Sequence, residues 1–141
     1  MYVPGLDGGK MSKSRDNTLN IFEDPKALKK RINKEIVTDA TPLEDPKNPE
    51  ANVIHSLYRL MASEGQADEM ASALQAGGYG WGHAKKALLE ALVDGFAEER
   101  ARFHELMADK RQIDEALAQG AEKARAVAAD VLSRVRHASG Y

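Results

Sequence analysis

The stretch "GGKMSKSRDNTLNIFEDPKALKKRINKEI", residues 8–36, passes from one kind of chain to another. Its first half is polar. It opens on Gly8 and Gly9 and interleaves Lys10 and Lys13 with Ser12 and Ser14, with no helical or strand period. Its second half is a helix. Asp24-Pro25 puts a capping acid before a proline at the first helical position. Leu28, Ile32 and Ile36 then recur every fourth residue as one apolar stripe. The opposite surface is basic, with Lys26, Lys29, Lys30, Arg31 and Lys34 and no acid between Pro25 and Lys34.

The same alternation of breaks and stripes continues downstream. "TDATPLEDPKNPEAN", residues 38–52, holds three prolines and reads as an extended connector. Asn48-Pro49 repeats the cap-then-proline signal, and Val53, Leu57, Leu60 and Met61 form the next stripe. Ser63 with Gln66 has capping-box spacing for a helix to about Gln75. After "AGGYGWG", one long helix is predicted from about Trp81 to about Met107, carrying Ala84, Leu88, Leu92, Phe96, Phe103 and Leu106. Asp109 with Gln112 offers another capping box. A last helix to about Ala138 carries Ile113, Leu117, Ala121, Ala124, Val127 or Ala128, Val131 and Val135. Beyond two or three residues near Val3, no strand is predicted. The expected fold is all-α: a bundle of about five helices with an irregular N-terminal loop.

Bulk composition narrows the function. With 141 residues, 43% apolar and 30% charged, the chain suits one globular domain. The net charge of −2 hides a polarity: residues 1–36 hold 8 Lys/Arg against 5 Asp/Glu, while the rest holds 12 against 17. The basic end is the part suited to phosphate. With no cysteine, disulfides and thiolate metal sites are excluded. His55, His83, His104 and His137 show no paired-ligand spacing, so no metal site is expected. No signal peptide or apolar span is visible.

A loop with ammonium groups, hydroxyls and backbone N–H groups can surround a polyphosphate. Lysine is a mobile point charge and can follow a phosphate as it moves. When pyrophosphate leaves, negative charge grows on it. A cation brought close at that moment lowers the barrier more than it tightens ground-state binding. A solvated, flexible loop is the alternative that the residues alone leave open. The basic run Lys26–Lys34 likewise suits either a nucleic-acid backbone or a solvated helix face. Lys85-Lys86 reads as a solvated pair, and Tyr79 and Trp81 read as packing at a helix start rather than as rings that stack on a base.

Lys10-Met11-Ser12-Lys13-Ser14 matches without substitution the KMSKS signature of class I aminoacyl-tRNA synthetases. The flanks "PGLDGGKMSKSRDNT" and "INKEIVTDATPLEDPKNPE", with "GGYGWGHAKKAL" and "GAEKARAVA" downstream, resemble the tryptophanyl-tRNA synthetases. The resemblance covers nearly the whole chain. Its one small departure is Asp16, where glycine or another small residue is expected.

The resemblance implies an enzyme that activates tryptophan with ATP, releases pyrophosphate, and transfers the amino acid to its tRNA. It assigns Lys10 and Lys13 to the pyrophosphate end as catalytic groups. Met11, Ser12 and Ser14 join them in contacting the ATP phosphates. Mg²⁺ would accompany ATP, with no metal held by this chain. Lys26, Lys29, Lys30, Arg31 and Lys34 become candidates for tRNA contact. Residues 1–23 would be the tail of the catalytic domain, and 24–141 the helical C-terminal domain on the tRNA side. Only nine residues precede Lys10, and no HIGH-type histidine motif is present. The Rossmann-type catalytic domain is therefore expected to lie outside this chain, leaving the chain alone inactive. A cytoplasmic location and a homodimeric full enzyme are implied as well. The rival reading is a free-standing helical module, descended from such an enzyme, that binds tRNA or protein.

Overall fold

A computed structural model describes residues 2–140. They form six α-helices: α1 (Pro25–Glu35), α2 (Val53–Tyr58), α3 (Glu64–Ala76), α4 (Trp81–Gly95), α5 (Ala97–Ala108) and α6 (Arg111–Ser139). Among the described residues the only β-pairing is one antiparallel bridge between Pro4 and Lys10. The all-α expectation holds, with one helix more than predicted. Residues 1–100 and 101–141 form two compact units.

Local chemistry sets the helix starts. The Asp24 carboxylate accepts from the Lys26 N–H at 2.8 Å, and Pro25 follows it at the first helical position. Ser63 and Gln66 close the predicted capping box. Asn48-Pro49 does not start a helix as the spacing suggested. It makes a single turn, with Asn52 N–H donating to Pro49 O. The Asn52 side chain then caps α2 by accepting from the N–H groups of Ile54 and His55.

Within residues 1–100, α4 packs against α1 and α2, and α2 against α3. Ile32 and Ile36, Ile54 and Leu57, Leu74, and Leu88 and Leu92 meet in one apolar core. Leu6 from the N-terminal loop joins that core at 2% exposure. The proline-rich connector lies over Trp81. Its Lys47 is buried and donates three hydrogen bonds to the carbonyls of Pro42, Leu43 and Asp45, with its ammonium 5.8 Å from the centre of the indole ring.

The long helix predicted from Trp81 to Met107 is two helices. It breaks at Gly95-Phe96, where Phe96 leaves helical geometry at φ −119° and ψ 25°. The break frees carbonyls at the end of α4, and a charged side chain takes them. Arg100 is 8% exposed and donates to the carbonyls of Val93, Leu92 and Ile21. Lys85 also departs from the solvated pair read in the sequence. Its ammonium donates to the carbonyls of Asn33 and Ile36 at 3.0 and 3.2 Å, closing the end of α1. Burial pushes its pKa down. Lys86 is exposed and pairs with Glu90, as a surface lysine does.

In the unit of residues 101–141, α6 is a 29-residue amphipathic helix with no fully buried residue. Its apolar stripe is exposed at Leu117, Val127, Val131 and Val135, whereas Ile113 and Ala121 are half-covered. Its start is not the predicted capping box. The guanidinium of Arg111 takes the Asp109 carboxylate, and Gln112 accepts instead from Arg102. No helix among the described residues is long and apolar enough to cross a membrane.

Candidate phosphate-binding loop and its basic neighbour helix

The lysine–serine segment grows out of a hydrogen-bonded base. Gly5 N–H donates to Gly9 O at 2.7 Å, and Met11 N–H donates to Val3 O at 3.0 Å. Leu6 anchors the base to the helices: its side chain enters the core and its carbonyl accepts from Val37 N–H at 2.9 Å. Gly8 turns the chain with φ +82°, a conformation that favours glycine.

Asn17 organises this base, and sequence reasoning gave it no role. The residue is 4% exposed. Nδ2 donates to the Asp7 carboxylate at 2.6 Å and to Lys10 O at 3.1 Å. Oδ1 accepts from Ser12 N–H at 2.7 Å, and the backbone carbonyl accepts from Leu6 N–H at 2.9 Å. One amide thus meets both sides of the loop. Gly5 has to be glycine here, since a Cβ would overlap the Asn17 side chain. The Asn17 bond holds the Asp7 carboxyl below its ordinary value, with Gly9 N–H and Arg15 adding to the effect.

Above this base the five KMSKS residues diverge. Met11 is half-buried and packs against the core. Ser12 is half-buried, and its hydroxyl lies 2.8 Å from that of exposed Ser14. Lys10 and Lys13 are exposed, and neither ammonium is in an ion pair among the described residues. The tip is a single 3₁₀ turn, Lys13–Arg15, ended by Asp16 in the left-handed region at φ +51°. That conformation is the physical reason a glycine is expected at this position, and aspartate is one of the few other residues that tolerates it.

The basic run on α1 does not form one uniform face. Lys26, Lys29, Lys30 and Lys34 are exposed. Arg31 is turned towards Asp16 and Glu35, which raise its pKa, Asp16 foremost. Among the described residues no group of three or more His, Asp or Glu could hold a metal ion.

With this geometry in place, the comparisons with known proteins fall together. The family described as tRNA synthetases class I (W and Y) matches residues 2–97. The tryptophan–tRNA ligase of Rhodopirellula baltica is 45% identical over 98% of this chain, and that of Fusobacterium nucleatum is 38% identical over 98%. The chain spans 43% and 42% of their lengths. A crystal structure of the Campylobacter jejuni tryptophanyl-tRNA synthetase, complexed with ADP and tryptophan, superposes with a TM-score of 0.94 at 39% identity. It covers all of this chain, which in turn covers 44% of that one. The lysine–serine loop and the helices behind it therefore belong to the family of class I tRNA synthetases for tryptophan and tyrosine.

Proposed function

We propose that this chain is the KMSKS-loop and helical portion of a tryptophan–tRNA ligase. Tryptophan rather than tyrosine follows from the named relatives, all of them tryptophan enzymes. In this reading residues 1–23 are the tail of the catalytic domain and 24–141 the helical domain on the tRNA side. The full enzyme works in the cytoplasm as a homodimer, with ATP, tryptophan and its tRNA as substrates and Mg²⁺ accompanying ATP.

The observation that carries the reading is the state of Lys10 and Lys13. Both ammonium groups are exposed and, among the described residues, in no ion pair, on a loop whose base is fixed by Asn17. One exposed cation on the fixed base, Lys10, and one at the tip, Lys13, suit a loop that must meet a moving polyphosphate. As tryptophan's carboxylate attacks the α-phosphate, charge accumulates on the departing pyrophosphate. Lys10 and Lys13 meet that charge. The hydroxyls of Ser12 and Ser14 donate to phosphate oxygens, while Met11 ties the segment to the core. The exposed lysines of α1, Lys26, Lys29, Lys30 and Lys34, face a tRNA backbone. Arg31 is engaged within the chain.

The test is tryptophan-dependent exchange of pyrophosphate into ATP, comparing Lys13→Ala with wild type in the enzyme that joins this chain to a Rossmann-type domain. A second reading, a free-standing module that binds tRNA, is favoured by the self-contained core of residues 1–100. Titration of the chain alone with tryptophan tRNA separates the two. Binding as tight as the full enzyme's supports the module; weak, salt-sensitive binding supports the fragment.

A further inference from the structure

Arg31 lies on α1, yet its guanidinium serves the loop. Nη2 donates to the backbone carbonyl of Asp16 at 2.7 Å and to the Asp16 carboxylate at 2.9 Å, while Nε donates to Glu35 at 2.9 Å. The Arg31 side chain is 19% exposed, against 90% for that of Asp16. Asp16 closes the 3₁₀ turn that begins at Lys13, and its N–H donates back to Lys13 O at 3.2 Å. The contact therefore grips the corner by which the lysine–serine segment leaves for the helices.

We propose that Arg31 is a positioning residue: a strap from α1 that holds the Asp16 corner and so sets where Lys13 rests and how readily the loop leaves that place. The consequence for catalysis rests on the reading of this loop as the phosphate loop; the strap itself does not. One half of the strap, the Asp16 carbonyl, is available whatever residue stands at 16. The other half needs the carboxylate, which this chain has where a glycine is expected. Arginine suits the task because one terminal nitrogen, Nη2, reaches both acceptors on Asp16 while Nε keeps Glu35. A single lysine ammonium cannot hold Asp16 and Glu35 at once in that fixed geometry. Because Asp16 is exposed, its ionic half weakens with salt. The strap is thus strong enough to define a resting position and weak enough to release.

Amide hydrogen exchange by NMR on the 141-residue chain tests this. Arg31→Gln should speed exchange at residues 15–17 about three- to tenfold, the worth of one exposed charge-assisted contact with a carbonyl. Amides in the middle of α1 should keep their wild-type rates. Arg31→Lys should recover part of the protection. Glu35→Gln, which removes only the helix-side partner, should leave residues 15–17 unchanged. If Arg31→Gln fails to fold, Asp16→Asn takes its place, since it tolerates the left-handed corner and removes the charge. It should give a smaller acceleration and abolish the salt dependence of exchange. Loop exchange unchanged in Arg31→Gln, or an unaltered salt response in Asp16→Asn, overturns the strap. Because no nucleotide is involved, failure of the strap and failure of the phosphate role appear in different experiments, the latter in the Lys13→Ala kinetics.

Discussion

The Asn17 side chain joins Asp7 to Ser12: its amide donates to the Asp7 carboxylate at 2.6 Å and its oxygen accepts from Ser12 N–H at 2.7 Å. A loop rich in glycine and serine would lose its order to conformational entropy without such a contact. Removing the side chain leaves Ser12 N–H and Lys10 O without their partner in a part-buried site. Asn17→Ala should therefore cost about 2–3 kcal/mol. Urea unfolding of the chain measures it. A loss below half a kcal/mol would deny Asn17 its organising role.

The same pair sets an acid limit. Asp7 is held below its ordinary value of 3.8, first by the Asn17 bond. A carboxyl depressed in the folded state contributes order that is fully present above its unfolded pKa and is lost as pH falls through the folded value. The NMR signals of the Asn17 side-chain amide should then be flat from neutral pH down to about that ordinary value and shift only below it. Asp7→Asn should remove the transition. A midpoint above 3.8 in wild type would contradict the assignment.

Arg100 closes α4 by donating to the carbonyls of Leu92, Val93 and Ile21. Arg100→Met keeps much of the apolar stem but leaves these carbonyls without their donor. The loss should be about 2–4 kcal/mol, read from the midpoint of thermal or urea unfolding. Arg100→Lys should restore little, because one ammonium cannot reach all three sites.

Gly77 ends α3 at φ +80°, and a Cβ there would run into the carbonyl of Glu44. Gly77→Ala therefore meets both a strained backbone and a contact with main chain that cannot swing aside. A destabilisation of about 1–3 kcal/mol is expected. At Gly65 a Cβ would have nothing within 4 Å, so Gly65→Ala in the first turn of α3 should be neutral or slightly stabilising. Equal effects at both positions would refute the distinction.

These cases mark what the sequence made legible. Caps are local, so Asp24-Pro25 and Ser63–Gln66 could be read from adjacent residues and stand where expected. The split at Gly95-Phe96 was hidden because Leu92 and Phe96 keep the helical interval across it. Asn48-Pro49 misled because the better cap, Asn52, followed within the same turn-rich stretch. Lys47, Lys85 and Arg100 look like surface charges in a sequence. Each instead caps carbonyls, and both of those bonded by Lys85, with one of the three bonded by Arg100, come from distant positions in the chain. Within the candidate site the five KMSKS residues were legible as a motif. Asn17 was not, because its worth lies in joining two sides of a loop that no periodicity describes. The basic run was legible as charge, but not the turning of Arg31 away from its neighbours.

If the exposed lysines of α1 meet tRNA, Lys30→Ala should leave pyrophosphate exchange unaltered and weaken only aminoacylation. The deficit should narrow as salt rises, since the wild-type contact with phosphate is itself screened away. Loss of the first step in this variant would contradict a role confined to tRNA.

The most direct measurement is the kinetics of Lys13→Ala in pyrophosphate exchange, in an enzyme that joins this chain to a Rossmann-type domain. If the Lys13 ammonium meets the leaving pyrophosphate mainly as charge develops, kcat should fall by roughly 10²–10³ with little change in KM for ATP. Lys13→Gln should recover little, as it restores size without charge. An unchanged kcat with a merely raised KM would contradict the transition-state role given to this loop.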